Sequence, residues 1–151
     1  MKSVVAVIGV SMLMLTIGAV NCSAEKLLTA REVQNLFNDK TMTVQNERKS
    51  GKNTREEPFK AFTSSMGIAK TVYDDSSQTR AWNVADDGRM CFSRSLSRRR
   101  QGQTCGFIIQ DGDTYLLYES KDIKEKSGRV VGLKKKDLLV SFTDFTSGNQ
   151  L

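Results

Sequence analysis

The residues of this chain best suited to chemistry are two cysteines, a cluster of arginines and several close aspartates. Cys91 and Cys105 have the thiols for a disulfide or for a redox pair. A redox pair normally shows Cys-x-x-Cys spacing near a helix start. This pair shows neither, so it reads as a structural bridge closing a loop of about 15 residues, worth about 3 kcal/mol on a chain-entropy argument. Between the cysteines runs Arg94-Ser95-Leu96-Ser97-Arg98-Arg99-Arg100. Four guanidinium groups at this density suit phosphate or carboxylate; the plainer alternative is a solvated loop tip. Nucleic acid is not the expected target, because no aromatics interleave with these arginines to stack on bases. Lys134-Lys135-Lys136 is a second basic run and reads as a turn between strands.

Asp74-Asp75, Asp86-Asp87 and the Asp111/Asp113 pair have the side chains for calcium or for paired-carboxylate hydrolysis. EF-hand spacing is absent, and the last two groups flank glycines, where Asp bonds its own backbone in turns. The chain contains no His, which excludes His general bases, Ser-His and Cys-His nucleophile pairs and His-ligated metals. No nucleophile-elbow, P-loop or dinucleotide fingerprint is present. The expectation is a protein that is not an enzyme, with no catalytic residues, no cofactor and no metal.

These residues must be held by a modest amount of structure. The chain has 151 residues and a formal net charge of +6. Residues 1–24 have Lys2, an apolar run from Val4 to Val20, and small residues in Cys22-Ser23-Ala24. That is the pattern of a cleaved secretory signal peptide. Cys22 follows Asn21 rather than the small residue a lipobox requires, so it reads as part of the cleavage region. Residues 25–151 are then a single domain, exported to the periplasm or secreted, with Cys91 and Cys105 its only cysteines. An oxidising compartment agrees with their pairing.

The domain reads as mainly β: a small antiparallel barrel or sandwich of about eight or nine short strands with one N-terminal helix. Thr29 and Glu32 form a capping box, Val33, Leu36 and Phe37 share one helical face, and Asn38 ends the helix. So short a helix must pad the sheet rather than stand alone. Asp87-Gly88 and Asp111-Gly112 are hairpin signals. Read as two-residue turns, they place Val84 opposite Cys91, Phe107 opposite Leu116 and Cys105 opposite Tyr118. One face then collects Trp82, Val84, Cys91, Cys105, Phe107, Ile109, Leu116 and Tyr118. Met90, Phe92, Ile108, Tyr115 and Leu117 fall on the other, which something must cover. Further strands are expected over Thr41–Gln45, Phe59–Ser64, Met66–Tyr73, Arg129–Leu133 and Leu138–Thr143. Residues 46–57 and 119–128 are charged and turn-rich.

Ala81-Trp82-Asn83-Val84-Ala85-Asp86-Asp87-Gly88-Arg89-Met90-Cys91, then Cys105 and Gly112-Asp113-Thr114-Tyr115, resembles a proteobacterial family of small exported proteins of unknown function. The likeness spans roughly residues 27–118 and implies an exported, β-rich domain; it carries over no catalytic residue. Such proteins often have Gly two residues before the Trp, as lipocalin-like barrels do; here that position is Arg80.

The expected function is non-catalytic binding of an apolar or amphipathic, lipid-like molecule. Trp82, Phe107, Leu116 and Tyr118 are the candidate contacts for its apolar part. Arg94, Arg98, Arg99 and Arg100 are the candidates for an anionic head group or for the membrane periphery. The alternative is an envelope protein-interaction or inhibitor module that uses the Arg94–Arg100 loop as a wedge. An empty apolar cavity of about 300 Å³ or more would favour the first, a solid interior the second.

Overall fold

The computed structural model describes residues 25–48, 57–73, 76–93 and 102–151. The leader, Asp74-Asp75, and Arg94, Arg98, Arg99 and Arg100 lie outside the described residues. The elements in chain order are β1 (Lys26–Leu27), α1 (Ala30–Phe37), β2 (Lys40–Asn46), β3 (Phe59–Thr63), β4 (Ile68–Tyr73), β5 (Ser76–Val84), β6 (Met90–Phe92), β7 (Thr104–Asp111), β8 (Thr114–Tyr118), β9 (Lys124–Lys126), β10 (Arg129–Val131) and β11 (Leu138–Ser147).

Eight of the strands close into an antiparallel barrel in the order β7-β6-β5-β4-β3-β2-β11-β8, with β8 returning to β7. The choice between barrel and sandwich therefore falls to the barrel, which leaves no free sheet edge around the ring. β1 adds to β7 at Ile109 and Gln110, on the side where the short β6 has already ended. β9 and β10 form a separate hairpin.

The helix is the one anticipated. Thr29 Oγ1 accepts from the Glu32 backbone N–H and the Glu32 carboxylate accepts from the Thr29 N–H, so both halves of the capping box are present. Lys26 adds an ion pair to Glu32. These hydrogen bonds, Lys26 first, hold the Glu32 carboxyl down at about 2. Val33 and Phe37 are fully buried. Phe37 meets Phe142 and Phe145 edge-on, with ring centroids 5.0 and 5.3 Å away. The Thr63 hydroxyl donates to the Phe37 carbonyl, securing the helix end to β3. α1 thus packs into one end of the barrel and covers the face carrying Met90, Ile108 and Leu117.

The two hairpins differ from the expected register, with different consequences. At the first, Ala85 N–H donates to the Arg89 carbonyl, the Gly88 N–H donates to the Ala85 carbonyl, and Gly88 has φ +87°. The loop is therefore the three residues Asp86–Gly88 ending in a left-handed glycine, not a two-residue turn. Val84 faces Met90, Asn83 faces Cys91 and Trp82 faces Phe92. A slip of one residue exchanges the two faces of a strand, so Trp82 and Val84 join the interior while Cys91 stays outside. At the second hairpin the loop is Gly112-Asp113, with Gly112 at φ +59°. Phe107 faces Tyr118 and Ile109 faces Leu116. That slip moves the pairing sum by two, so the faces of β7 and β8 are as anticipated. Cys105 lies opposite Cys91, not Tyr118.

Two cores result. The interior holds Phe37, Met42, Trp82, Met90, Ile108, Leu117 and Phe142 among its buried members. The second lies on the outer face of β7, β8 and β11, where Ile123 from the β8–β11 connection covers Ile109 and Tyr118, with Phe107, Leu116 and Leu138 packed around them. β11 changes register between Thr143 and Thr146, where Asp144 has φ +53°. The extra residue lets both Phe142 and Phe145 pack with the interior cluster.

Candidate functional site

Side chains alternate along a strand, and in this barrel the alternation leaves a space. Inward positions near α1 are large: Phe37, Trp82, Met90, Ile108 and Phe142. On β3 and β4 they are small: Thr63 paired with Ala69 and Ala61 paired with Thr71. The missing volume is a partly open cavity of about 250 Å³. Its floor residues Met42, Thr63, Leu117 and Phe142 are buried, while Phe59, Tyr73, Arg80, Phe92, Thr104 and Leu139 are only half-buried. That gradient places the opening at the barrel end away from α1, where β2, β4, β6 and β8 finish.

Most of the lining is aliphatic or aromatic. The Phe59 and Tyr73 rings lie 4.9 Å apart at the rim. Polar side chains are the minority: Asn46, Thr63, Thr71, Tyr73, Thr104 and the Arg80 guanidinium. Arg80 Nη2 donates to Gln78 Oε1 at 2.8 Å. Such a lining can hold an apolar body and orient one polar end. Among the described residues no group of three or more His, Cys, Asp or Glu is placed to hold a metal ion.

Cys91 and Cys105 are joined as expected, directly across β6 and β7. Their neighbours Phe92 and Thr104 both line the cavity, so the bridge fixes two strand ends at its rim. The four residues expected to share a ligand are separated. Trp82 is in the interior, with its Nε1 donating to the Ser64 carbonyl at 2.9 Å. It borders a shallow depression with Gln34, Asn38 and Met66 rather than the apolar cavity. Phe107, Leu116 and Tyr118 belong to the outer core, where burial raises the Tyr118 hydroxyl above its usual pKa. The cause of the separation is the three-residue first hairpin, which turns β5 over relative to β6. Arg94, Arg98, Arg99 and Arg100 lie outside the described residues, although Phe92 and Thr104 on either side are at the cavity.

Two of the charged groups singled out in the sequence belong to the frame. Asp87 accepts from the Arg89 backbone and pairs with its side chain at 2.7 Å. Lys134 pairs with Asp122 at 3.3 Å, and Lys135–Asp137 make a 3₁₀ turn leading into β11. The residues that sequence reasoning missed are Ala61, Ala69, Thr71 and Arg80. Small residues at alternate positions of two adjacent strands were the available signal, but it locates a cavity only once the inward face is known.

The structure defines a closed eight-stranded antiparallel barrel, filled at one end by a helix and hollow toward the other. The chain matches no family model, no curated protein and no solved structure.

Proposed function

We propose that this chain is an exported, non-catalytic binding protein that holds a small apolar or amphipathic molecule in the barrel cavity. The observation that carries the reading is the apolar space bounded by the small residues Ala61, Thr63, Ala69 and Thr71, which opens away from α1. Eight-stranded barrels are wide enough either to be filled by their own side chains or to hold one small ligand. At about 250 Å³ the space is neither a solid interior nor as large as the ~300 Å³ at which drug-sized ligand pockets begin, so the ligand in this reading is small. Residues 1–24 are the export signal in this reading, and the Cys91–Cys105 bridge suits an oxidising compartment. The resemblance to small exported proteobacterial proteins points the same way, and Arg94, Arg98, Arg99 and Arg100 are assigned contact with an anionic surface.

Calorimetric titration of the disulfide-bonded, exported chain with 1-octanol tests the proposal. The expected result is saturable binding at one site. Ala61→Leu, which fills the cavity from its wall, abolishes it without lowering the melting temperature by more than about 5 °C, the cost of a modest overpacking. Absence of saturable binding in the natural chain, or its persistence in a folded Ala61→Leu variant, refutes the cavity as the site.

A further inference from the structure

We infer that Arg80 selects the ligand's head group, so that the cavity takes a short single-chain amphiphile ending in an oxyanion, a carboxylate or a phosphate monoester. This rests on the reading of the cavity as a ligand site and adds the chemical class of the ligand. Among the described residues lining the cavity, Arg80 is the one that carries a charge. It stands on the inward face of β5, two residues from Trp82, opposite the small Ala69. It is half-buried, between the closed floor and solvent.

Its partners distinguish it from the ion-paired cations. Arg48, Arg89, Lys26 and Lys134 each meet a carboxylate within 4 Å. Arg80 has only the neutral Gln78 amide, and among the described residues no carboxylate reaches it. Lys40 and Lys60 also bond only neutral hydroxyls, on Ser147 and Thr43, but neither lines the cavity. A guanidinium carries five N–H donors in a planar fork that matches carboxylate and phosphate oxygens. A half-buried cation beside apolar walls is incompletely solvated, and an incoming oxyanion supplies the missing acceptors. Thr71 and Thr104 place two hydroxyls in the same lining. The geometry therefore sets the alkyl chain toward Leu117 and Phe142 and the anionic end toward Arg80. The competing use of Arg80 is a stem lying over the cavity wall with its head in water, which confers no preference for charge.

The experiment titrates the disulfide-bonded chain at neutral pH with octanoate, octyl phosphate, 1-octanol and octylammonium. The expected result is that at least one of the two anions binds about tenfold tighter than the alcohol, one charge-assisted contact's worth after solvent screening. The cation binds more weakly than the alcohol. Arg80→Gln brings the anions to the level of the alcohol measured on the same variant, since the charge contact is removed. Arg80→Lys retains part of the preference. Comparison of octanoate with octyl phosphate separates a fatty-acid-like from a phosphate-bearing ligand. Equal binding of both anions and the alcohol, or a preference that survives Arg80→Gln, overturns the role of Arg80 while the cavity stands. Failure of all four probes to bind overturns the cavity reading and this inference with it.

Discussion

Replacing Phe37 by Ala tests whether α1 is an integral part of the barrel. Phe37 is the last helical residue, has no exposed surface, and lies 5.0 Å from Phe142, 5.3 Å from Phe145 and 6.5 Å from Trp82 between ring centroids. A buried Phe→Ala change costs about 3–5 kcal/mol through lost burial and the cavity left behind. The upper part of that range is expected here. The surrounding rings come from two strands, Phe142 and Phe145 from β11 and Trp82 from β5, which cannot collapse together without breaking the barrel. The aromatic contacts also add about 0.5–1.5 kcal/mol each beyond area. A loss of about 4 kcal/mol is a large share of the ~5–15 kcal/mol typical of a whole domain. At this size it corresponds to a fall of roughly 10–20 °C in melting temperature. Urea denaturation followed by fluorescence reads it, because Trp82 is the one tryptophan in the chain and sits beside the substitution. Circular dichroism supplies the second probe. Arg31→Ala, on the exposed side of the same helix, should stay within about 0.5 kcal/mol. A loss below about 1 kcal/mol for Phe37→Ala would show that the helix is not seated in the barrel end and would remove the stated cause of the cavity's closed floor.

Two further outcomes are open to direct measurement. The double variant Cys91→Ser/Cys105→Ser removes a bridge with sequence separation 14 and should lose about 3 kcal/mol, lowering the melting temperature by roughly 10 °C; a change under about 2 °C, or free thiols in the natural protein, would show that the bridge does not staple this sheet. Glu32 has its folded-state pKa lowered from 4.5 to about 2, first by the Lys26 hydrogen bond and then by Thr29. Its ionised form therefore stabilises the fold above the unfolded pKa near 4.5, and the contribution is lost as pH falls toward 2. The pair is substantially exposed, so Glu32→Gln should cost no more than about 1 kcal/mol at neutral pH, and the gap to the natural chain should narrow over that acidic window. A gap that stays constant down to pH 2 in denaturation curves would assign the effect to something other than the carboxylate charge.

Local chemistry was readable from the chain alone. Thr29 and Glu32 specify a helix start because the groups that bond are only three positions apart. Most of β2, β3, β4 and β11 lie where short apolar and β-branched segments indicated. Cys91 and Cys105 were pairable by count and by the compartment the leader led one to expect. What failed was the step from turn to register at Asp86–Gly88. Two- and three-residue hairpin loops both favour Asp followed by Gly, and their difference of one residue exchanges every side chain between faces. That ambiguity put Trp82 with Phe107, Leu116 and Tyr118, when the barrel places it with Phe37, Met90 and Phe142.

The sequence by itself therefore determined the class of fold, the capped helix and the disulfide, since each rests on neighbours in the chain or on a count. Closure of the ring, the assignment of inside and outside, and the cavity edged by Arg80 were decided only by the tertiary structure. They arise because β8 returns to β7, the β8–β11 connection covers one face of that pair, and α1 fills the other face from one end. Whether Ala61 and Ala69 make an ordinary packed wall or a binding space depends on what stands across the barrel from them, and those residues are distant in the chain.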